Sequence, residues 1–422
     1  MSQQYVCKLN ELNKILSQVK GGATVLLDDG VYKNISITIS NKATIGNRLF
    51  IKAKNPGKVI ISGKSKINIT GEYITLANLV FKDGGQKSSI QLKGRGNRLT
   101  GCDISFNASD GPVLMIGMKN NRIDHCNFHD FNKSERWIQK DSGSKSADYI
   151  LFDHNIIQNR PKGADSNGYE TIQLRNDDNQ ISSKSIIMNN FFEKCDGELE
   201  MISVKSSENI IYKNTIQNVA ATITLRHGRG SIIACNKFLQ NKVKNSGGLR
   251  ITGADQLIYQ NLFKEVDTVA MSIINGANTK PSYQQVKNLR IIKNILINND
   301  CDIELGNPSK GKLVPTGVEI RENIIYKTNN QPIFGKSSTC KDVTFLNNQY
   351  YGTNFGKNPS NSGKLQKPSE FDLKNINENE NLYGNNDKVG IDWTVDPEDT
   401  EIVIELDKYY DTIKEKNFII SK

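Results

Sequence analysis

One short motif recurs along most of the chain, and it restricts the possible folds more than any other feature of the sequence. A run of apolar residues is followed by Asn, then by any residue, and then by an apolar or aromatic residue, as in Ile210-Ile-Tyr-Lys-Asn-Thr-Ile216. Successive copies lie 22 to 35 residues apart, and the base period is 22 to 25. Such a period predicts a solenoid in which each repeat forms one coil. The Asn positions are Asn78, Asn155, Asn190, Asn214, Asn236, Asn261, Asn294, Asn323 and either Asn347 or Asn348, and Cys102 and Cys126 take the same place in two further copies.

We therefore predict an all-β fold, a single-stranded right-handed parallel β-helix. Leucine-rich repeats have a similar period, but their Leu-x-x-Leu-x-Leu consensus is absent from this sequence. Equivalent positions of successive coils stack about 4.8 Å apart, so an inward Asn column would form a ladder of hydrogen bonds that satisfies buried polar groups. Cys102 and Cys126 suit that column as small buried residues. Since the seven cysteines form no CxxC pair, we expect buried reduced thiols.

The two ends of the chain are predicted to cover the ends of the coil stack. Leu9, Leu12, Leu16 and Val19 have helical spacing, and an amphipathic helix there would close the N-terminal end. We expect one domain over 1–422, in which 1–24 form this cap, 25–350 form the coils, and 351–422 form an irregular region and a C-terminal cap. That second cap would contain Ile402-Val-Ile404 and Tyr409-Tyr410.

The charge balance indicates an acidic partner. Lys and Arg number 55 against 45 Asp and Glu, which gives a formal net charge of +10. Nucleic acid, anionic lipid and a polyanionic substrate would all suit this charge. The sequence contains no apolar run of 18 residues, so no membrane span is expected, and it contains no recognisable signal peptide. Nucleic acid is disfavoured because aromatic residues make up only 7% of the chain and no recognition motif is present.

The densest group of chemically reactive residues lies between 198 and 250. Glu198 and Glu200 are two residues apart, so on a strand they would share one face, outward if the residues between and after them point inward. Lys205, Arg226 and Arg250 fall at about the same phase of three successive repeats, which predicts a column of cations on one outer face. Stacked like charges are unfavourable unless an anion lies across them, so this column indicates a binding site for a polyanion.

The motifs around these residues closely resemble polysaccharide lyase family 6. They are Cys-Asp-Gly-Glu-Leu-Glu-Met-Ile-Ser-Val-Lys-Ser at 195–206, Leu-Arg-His-Gly at 225–228, Asn-Gly-Tyr-Glu-Thr-Ile at 167–172 and Gly-Gly-Leu-Arg-Ile-Thr-Gly at 247–253. The family contains alginate lyases and chondroitinase B and is built on a parallel β-helix, and the resemblance runs from about residue 5 to 350. The chain departs from it at Gln173-Leu-Arg175, where relatives often have Arg-Ile-Gly, which affects the expected substrate contacts rather than the chemistry.

The resemblance implies β-elimination across the C4–O bond of a uronate. It assigns Lys205 as the base that removes the C5 proton and Arg226 as the acid or the electrostatic stabiliser. Because arginine keeps its proton, we assign Arg226 mainly to charge stabilisation. His227 is a further candidate for a catalytic or orienting role. The candidate substrate contacts are Arg250, Arg175 and Trp137, whose indole would either stack on a sugar ring or pack within the protein.

The resemblance also implies calcium. Glu198, Glu200 and Asn167 match the family's ligands, and their hard oxygen donors suit Ca²⁺. The alternative is that the two glutamates hold Lys205 and Arg226 by salt bridges without a metal.

Alginate is the favoured substrate because most relatives degrade it. The alternatives are a chondroitinase B-like dermatan sulfate lyase and, in another class, a non-catalytic β-helix that binds polyanionic glycans. We expect a monomer that is secreted or periplasmic, because its substrate is extracellular, with its leader removed. The three remaining histidines, His125, His129 and His154, are expected to be structural.

Overall fold

The chain forms two compact units, and each is described by itself. The first unit consists of 1–164, 183–186 and 388–422, and the second of 165–182 and 187–387. The computed structural model describes residues 3–19, 21–108, 110–133, 135–143, 145–164, 167–175, 181–278, 283–335, 340–357, 359, 362–371 and 388–418.

In the first unit, strands of two to five residues form parallel pairs between one coil and the next. From β2 onward, consecutive strands take three positions in turn, so each strand pairs with the third strand after it. The unit contains β1 (Gln4–Cys7), α1 (Leu12–Leu16), β2 (Thr24–Leu27), β3 (Gly30–Lys33), β4 (Ser36–Ile39), β5 (Leu49–Ala53), β6 (Val59–Gly63), β7 (Lys66–Ile69), β8 (Ile74–Ala77), β9 (Val80–Gly84), β10 (Ile90–Leu92), β11 (Arg98–Thr100), β12 (Asp103–Ile104), β13 (Leu114–Ile116), β14 (Arg122–Asp124), β15 (Asn127–His129), β16 (Ile138–Lys140), β17 (Leu151–Asp153), β18 (Ile156–Arg160) and, near the chain end, α2 (Leu406–Phe418).

The second unit repeats the same three-strand coil, and it carries the residues singled out between 198 and 250. Its strands also pair in parallel with the third strand along the chain up to β36. They are β19 (Ile172–Leu174), β20 (Ile186–Met188, which starts at the unit boundary), β21 (Phe191–Cys195), β22 (Glu200–Lys205), β23 (Ile210–Tyr212), β24 (Thr215–Gln217), β25 (Thr222–His227), β26 (Ile232–Ala234), β27 (Lys237–Leu239), β28 (Leu249–Ile251), β29 (Leu257–Tyr259), β30 (Leu262–Lys264), β31 (Val269–Ile274), β32 (Lys287–Ile292), β33 (Ile295–Ile297), β34 (Cys301–Asn307), β35 (Thr316–Arg321), β36 (Ile324–Tyr326), β37 (Lys341–Leu346), β38 (Gln349–Tyr351) and β39 (Leu365–Gln366).

Stacked apolar side chains form the interior of each unit. In the first unit, one register column runs through Ile67, Ile90, Leu114 and Ile138, and each of these residues is buried. Equivalent columns fill the second unit. Because every coil adds another buried branched side chain to each column, the hydrophobic contribution grows with each repeat. The predicted right-handed parallel β-helix is confirmed.

The predicted Asn ladder is present in the second unit. From Asn214 onward, each ladder Asn accepts two hydrogen bonds at Oδ1 from the Asn of the preceding coil, one from its backbone N–H and one from its side-chain amide, at 2.9 to 3.0 Å. The ladder therefore satisfies amides that no water reaches. Its members are Asn190, Asn214, Asn236, Asn261, Asn294, Asn323 and Asn348.

The assignment of Asn78 to this ladder is wrong by one residue. Strand pairing aligns Val80 with Asp103, so Leu79 stands where the next coil has Cys102. Leu79 is fully buried, whereas Asn78 takes the left-handed conformation, with φ of 63°, in the turn before it. The turn explains the error, because Asn is favoured at such positions for its own conformational reasons.

The N-terminal helix is confirmed, and a strand precedes it. Leu9 and Leu12 are 1% exposed and Leu16 and Val19 are 6% exposed, so the predicted apolar face is buried. A 3₁₀ turn at Leu9–Glu11 leads into α1. The coils were predicted to begin at residue 25. However, β1 already pairs in parallel with β2, so strand pairing starts at Gln4.

The C-terminal segment does not close the end of the coils as predicted. Residues 388–418 belong to the first unit, where they contact residues of the early coils. Arg98, which is fully buried and paired with Asp124 at 2.6 Å, also donates to the carbonyl oxygen of Pro397 at 2.7 Å. Arg122 likewise donates to the carbonyl oxygen of Thr400 at 2.7 Å. These contacts make the tail a strap over the first unit, and the predicted irregular region beyond Phe371 lies outside the described residues up to 387.

The described cysteines are free thiols, and Cys7, Cys102, Cys126, Cys195 and Cys235 are buried. Burial raises the pKa of Cys126 well above the ordinary value of a thiol. In the described part of the chain, we find no helix with the length and hydrophobicity needed to cross a membrane.

Candidate active site

Lys205 lies at the end of β22 and is 5% exposed. Its ammonium nitrogen donates to Glu170 Oε1 at 3.3 Å and to Gln173 Oε1 at 3.2 Å. Both acceptors come from the preceding coil, in which β19 pairs with β22 through Ile172 and Ile202. Because every residue of β22 is buried, the strand presents a lysine that is held in a recess rather than extended into solvent.

The surroundings of Lys205 favour its neutral form. Burial lowers the pKa of the lysine below its ordinary value, because the charged ammonium loses its hydration. The carboxylate of Glu170 opposes this shift, and the positive charge of Arg226 reinforces it. A lysine of this kind can accept a proton at a pH where an exposed lysine remains charged.

Glu200 joins the two arginines of the site. Arg226 Nη1 lies 3.4 Å from each carboxylate oxygen of Glu200, and Arg250 Nη1 lies 3.3 Å from Oε1. Ser203 Oγ donates to the same carboxylate at 2.6 Å. An anion therefore lies between cations from two successive coils, which removes the repulsion that stacked arginines would otherwise have.

The three cations do not share one strand register, so the predicted column of like charges is wrong. Arg250 pairs with Thr224, whereas Lys205 pairs with His227 across a bulge. Arg226 is the additional residue in that bulge, between the pairs made by its two neighbours. A bulge redirects the side chain that it inserts, and here the inserted side chain extends to Glu200. Register counting cannot locate such an insertion from the repeat period alone.

Three carboxylates form a compact cluster beside Lys205. Glu170, Glu198 and Glu200 are all buried, and one oxygen from each lies within 4.8 Å of the others. Burial, together with the charges of the other two glutamates, raises the pKa of Glu198 to about 8. Glu198 Oε1 has no hydrogen-bond partner among the described residues. Such a group of carboxylates is costly unless protons or a cation compensate for it.

The expected outward orientation of the two glutamates assumed that Leu199 points inward, and that assumption is wrong. Leu199, between them, is 50% exposed, while Glu198 and Glu200 are 7% and 5% exposed. Both carboxylates therefore lie in the recess that contains Lys205. Asn167, the third predicted ligand, is exposed on the segment that leads to Glu170. Glu170 belongs to the motif at 167–172 but was not predicted as a ligand. Its proximity to Lys205 follows from the pairing of β19 with β22, which the sequence does not display.

The cluster fits a hard divalent cation. Calcium binds oxygen ligands at 2.3 to 2.6 Å, so oxygens on opposite sides of one ion are up to about 5 Å apart. The 4.8 Å limit of the cluster meets that requirement. Burial, and then the charges of Glu170 and Glu200, raise the pKa of Glu198, and its Oε1 has no hydrogen-bond partner among the described residues. A bound cation would offset the cost of both.

Two candidate substrate contacts are buried. Trp137 is fully buried, and its ring stacks on Phe131 at a centroid distance of 5.2 Å and meets Phe128 edge-on at 6.0 Å. The structure places the indole in the core, where it offers no face to a sugar. Arg175 is also fully buried, so it does not reach a polymer at the surface. Arg250 remains half-buried within the site.

Tyr283 is a site residue that sequence reasoning did not identify. Its ring centroid lies 5.3 Å from the guanidinium carbon of Arg226 and 5.3 Å from Lys310 Nζ. Tyr283 ends a loop that makes this repeat longer than the base period. Residues 279–282 of that loop lie outside the described residues.

The other three histidines pair with aspartates in the first unit. His125 and His154 stack at 5.0 Å, and their Nδ1 atoms lie 2.7 and 2.8 Å from Asp124 and Asp153. These contacts agree with the structural role expected for them.

Fold and site together define a parallel β-helix with a buried lysine among carboxylates and arginines. The sequence profile of the chondroitinase B family matches residues 6–392, which is most of the chain. The chain therefore belongs to the chondroitinase B family, and the predicted membership of polysaccharide lyase family 6 is confirmed.

Solved structures show the same fold. A mannuronic acid specific polysaccharide family 6 lyase from the human gut microbiota superposes with a TM-score of 0.78 at 24% identity, over 98% of this chain and 100% of that one. The PL6 family alginate lyase AlyGC gives 0.81 at 24% identity over 93% of this chain, and the match spans 59% of AlyGC. The PL6 family lyase Pedsa3628 from Pseudopedobacter saltans gives 0.73 at 23% identity, over 89% and 99%. No curated protein matches the chain significantly in sequence.

Proposed function

We propose that this protein is a polysaccharide lyase that cleaves a uronate polymer by β-elimination, with alginate as its substrate. The observation that carries the proposal is the buried Lys205, whose pKa is lowered beside a pair of arginines joined by Glu200. Family membership and the alginate lyases among the structural neighbours support the same reaction.

The reaction requires three actions on one sugar. The C5 carboxylate must be neutralised, the C5 proton removed, and the C4–O bond broken with return of a proton to the leaving oxygen. Neutralisation is decisive because a carbon acid loses its proton readily only when the enolate-like charge that forms is stabilised.

Lys205 is assigned as the base. Its nitrogen takes the C5 proton, and the electron pair of the C–H bond forms the new double bond as the C4–O bond breaks. Glu170 and Gln173 hold the nitrogen in place through their hydrogen bonds to it. A fixed nitrogen loses no orientational freedom when the substrate binds.

Arg226 and Arg250 are assigned to the negative charge of the substrate. Arg226 lies one strand from the base, and a guanidinium keeps its proton, so it stabilises charge rather than donating a proton. His227 pairs with Lys205 across β22 and β25. We assign it the return of a proton to the leaving oxygen.

Calcium is proposed as the ion of the acidic cluster. Glu170, Glu198 and Glu200 would hold it, and the bound ion would supply positive charge near the substrate carboxylate. The alternative, in which the glutamates hold the cations directly, would account for the salt bridges of Glu200 to the two arginines. It would give Glu198 Oε1 no hydrogen-bond partner among the described residues.

Alginate is preferred over dermatan sulfate because sulfate groups would require further exposed arginines near the site. Among the described residues, Arg226 and Arg250 at the site both contact Glu200 already. A purely binding β-helix would need cations but gains nothing from burying a lysine among carboxylates. Since alginate is extracellular, we propose a secreted or periplasmic location.

The test is the ultraviolet absorbance of unsaturated uronate products, measured with polymannuronate, polyguluronate and dermatan sulfate offered separately. We expect a rise with at least one alginate block polymer and none with dermatan sulfate. A rise in absorbance with dermatan sulfate alone would indicate a chondroitinase B-like dermatan sulfate lyase. Binding of a polymer without any rise in absorbance would indicate a non-catalytic glycan-binding protein.

A further inference from the structure

Tyr283 reaches Arg226 from a different coil and contacts it twice. The backbone N–H of Tyr283 donates to the carbonyl oxygen of Arg226 at 3.3 Å. Its ring centroid lies 5.3 Å from the guanidinium carbon, within the range of a cation–π interaction. The two contacts fix both the backbone and the side chain of Arg226 relative to one aromatic residue.

The described residues on either side of the loop that carries Tyr283 make hydrogen bonds to each other and to a neighbouring segment. Gly276 and Leu313 exchange two backbone hydrogen bonds of 2.8 and 3.0 Å, and the N–H of Ala277 donates to the carbonyl oxygen of Tyr283 at 2.8 Å. A side chain on Gly311 would approach the carbonyl oxygen of Gly276 to 1.9 Å, so this close approach requires glycine. The tyrosine is therefore anchored to the neighbouring loop as well as to Arg226.

The hydrogen bonds of Arg226 leave its orientation weakly defined. Its contacts with Glu200 are both 3.4 Å, near the upper limit of a useful hydrogen bond, and both use Nη1. The Nε atom is buried and has no hydrogen-bond partner among the described residues. The face of the Tyr283 ring supplies a constraint that the carboxylate does not.

We infer that Tyr283 is a positioning residue that holds the Arg226 guanidinium where negative charge develops during β-elimination. This inference rests on the proposed function. Charge stabilisation is efficient only when the stabilising group is already in place, because reorientation during the reaction costs free energy. The aromatic ring of Tyr283, rather than its hydroxyl group, makes the contact with the guanidinium. We therefore expect phenylalanine at position 283 to preserve the positioning of Arg226.

The kinetic test compares Tyr283→Leu with Tyr283→Phe. We expect Tyr283→Leu to lower kcat by about tenfold with little change in KM, and Tyr283→Phe to stay within about twofold of the wild type. In an Arg226→Ala background, Tyr283→Leu should have no further effect, since the two residues act as a unit. Lys310→Ala is the matched control, because Lys310 contacts the same ring without contacting Arg226 in any described interaction, and its kcat should be unchanged.

A second measurement does not depend on activity. The side-chain Nε–H resonance of Arg226 in ¹⁵N-labelled protein should be displaced by the ring current in the wild type and in Tyr283→Phe, and should move in Tyr283→Leu. A wild-type protein that is inactive on every uronate polymer yet shows this pattern would refute the lyase proposal and leave the contact intact. An active protein in which Tyr283→Leu changes neither kcat nor the resonance would overturn the positioning role, as would equal losses in the Leu and Phe variants.

Discussion

The ammonium nitrogen of Lys205 lies 3.3 Å from a carboxylate oxygen of Glu170, and both side chains are buried. A buried ion pair of this kind is costly to assemble, and loss of one partner leaves an uncompensated charge. The pair is therefore better explained by a chemical requirement for a buried lysine than by its contribution to stability.

Lys205→Ala should abolish turnover. Removal of a general base costs about 10² to 10⁴ in rate. Initial rates on the preferred uronate polymer measure the effect, with the exposed Lys244→Ala as the control. Because Lys205→Ala removes a cation beside the buried Glu170, circular dichroism is used to check that the variant is folded. The double variant Lys205→Ala/Glu170→Gln, which also removes the carboxylate charge, is measured alongside it. Near-normal rates in a folded Lys205→Ala protein would contradict the base assignment.

Glu198→Gln should separate metal binding from folding. Because the pKa of Glu198 is raised to about 8 in the metal-free protein, the side chain is mostly uncharged near neutral pH, and Gln mimics that state. Thermal unfolding in chelator should therefore be nearly unchanged. Calcium, however, should raise the melting temperature of the wild type and raise that of the variant much less.

The control for this experiment is Glu193→Gln, on the adjacent strand β21, which should keep the full calcium shift. An equal calcium shift in Glu198→Gln and the wild type, or no shift in either protein, would count against a calcium site at the cluster.

The sequence was sufficient to predict the fold because Asn recurs at the position of each coil where buried backbone amides need a hydrogen-bond acceptor. Each ladder Asn satisfies buried amides of the neighbouring coil, so the residue type recurs wherever the coil recurs. The same reasoning failed at Asn78, where the preceding turn residue happens to be Asn and the buried position is held by Leu79.

The site was only partly predictable. The chemical roles proposed for Lys205 and Glu200 rest on local motifs, which the sequence displays. Their relative orientation depends on two bulges in the pairing of β22 with β25, and a repeat period cannot reveal an inserted residue. Contacts from distant coils, such as that of Tyr283 with Arg226, depend on loop conformations that have no periodic signal.

Arg250→Ala should weaken substrate binding more than it slows the chemistry. Arg250 lies one coil beyond the strand of Arg226, and Glu200 holds it by a single contact of 3.3 Å. We expect KM to rise about tenfold with a smaller change in kcat, as for an interaction made equally in the ground and transition states. The exposed Arg229→Ala variant controls for net charge and should leave KM unaltered. A fall in kcat at constant KM would indicate instead that Arg250 stabilises the transition state specifically.

His129 should stabilise the first unit in a pH-dependent manner. Its hydrogen bond to Asp103 and, in addition, that to Asp130 raise its pKa from 6.5 to about 9, although burial opposes the shift. Because the folded pKa is the higher one, the contribution is complete below the unfolded pKa and is lost as the pH rises through about 9. Relative to His129→Gln, the wild type should be more stable by roughly 1 to 2 kcal/mol at about pH 6, allowing for partial solvent screening. Denaturant unfolding at about pH 6 and about pH 10 measures this difference, and a difference that does not shrink at the higher pH would contradict the assignment.

Asn236→Ala should be among the most destabilising single substitutions in the second unit. The Asn236 side chain accepts from the backbone and side-chain amides of Asn214 at 2.9 and 3.0 Å and donates to Asn261 at 3.0 Å. Its loss leaves several buried groups without partners, each of which costs about 1 to 3 kcal/mol. We expect a loss of roughly 3 kcal/mol in the free energy of unfolding, measured with denaturant, against the exposed Asn132→Ala as the control. Because Cys126 takes the equivalent position in the first unit, we expect Asn236→Cys to destabilise the protein less than Asn236→Ala. An Asn236→Ala variant as stable as the wild type would show that the ladder is dispensable at this position.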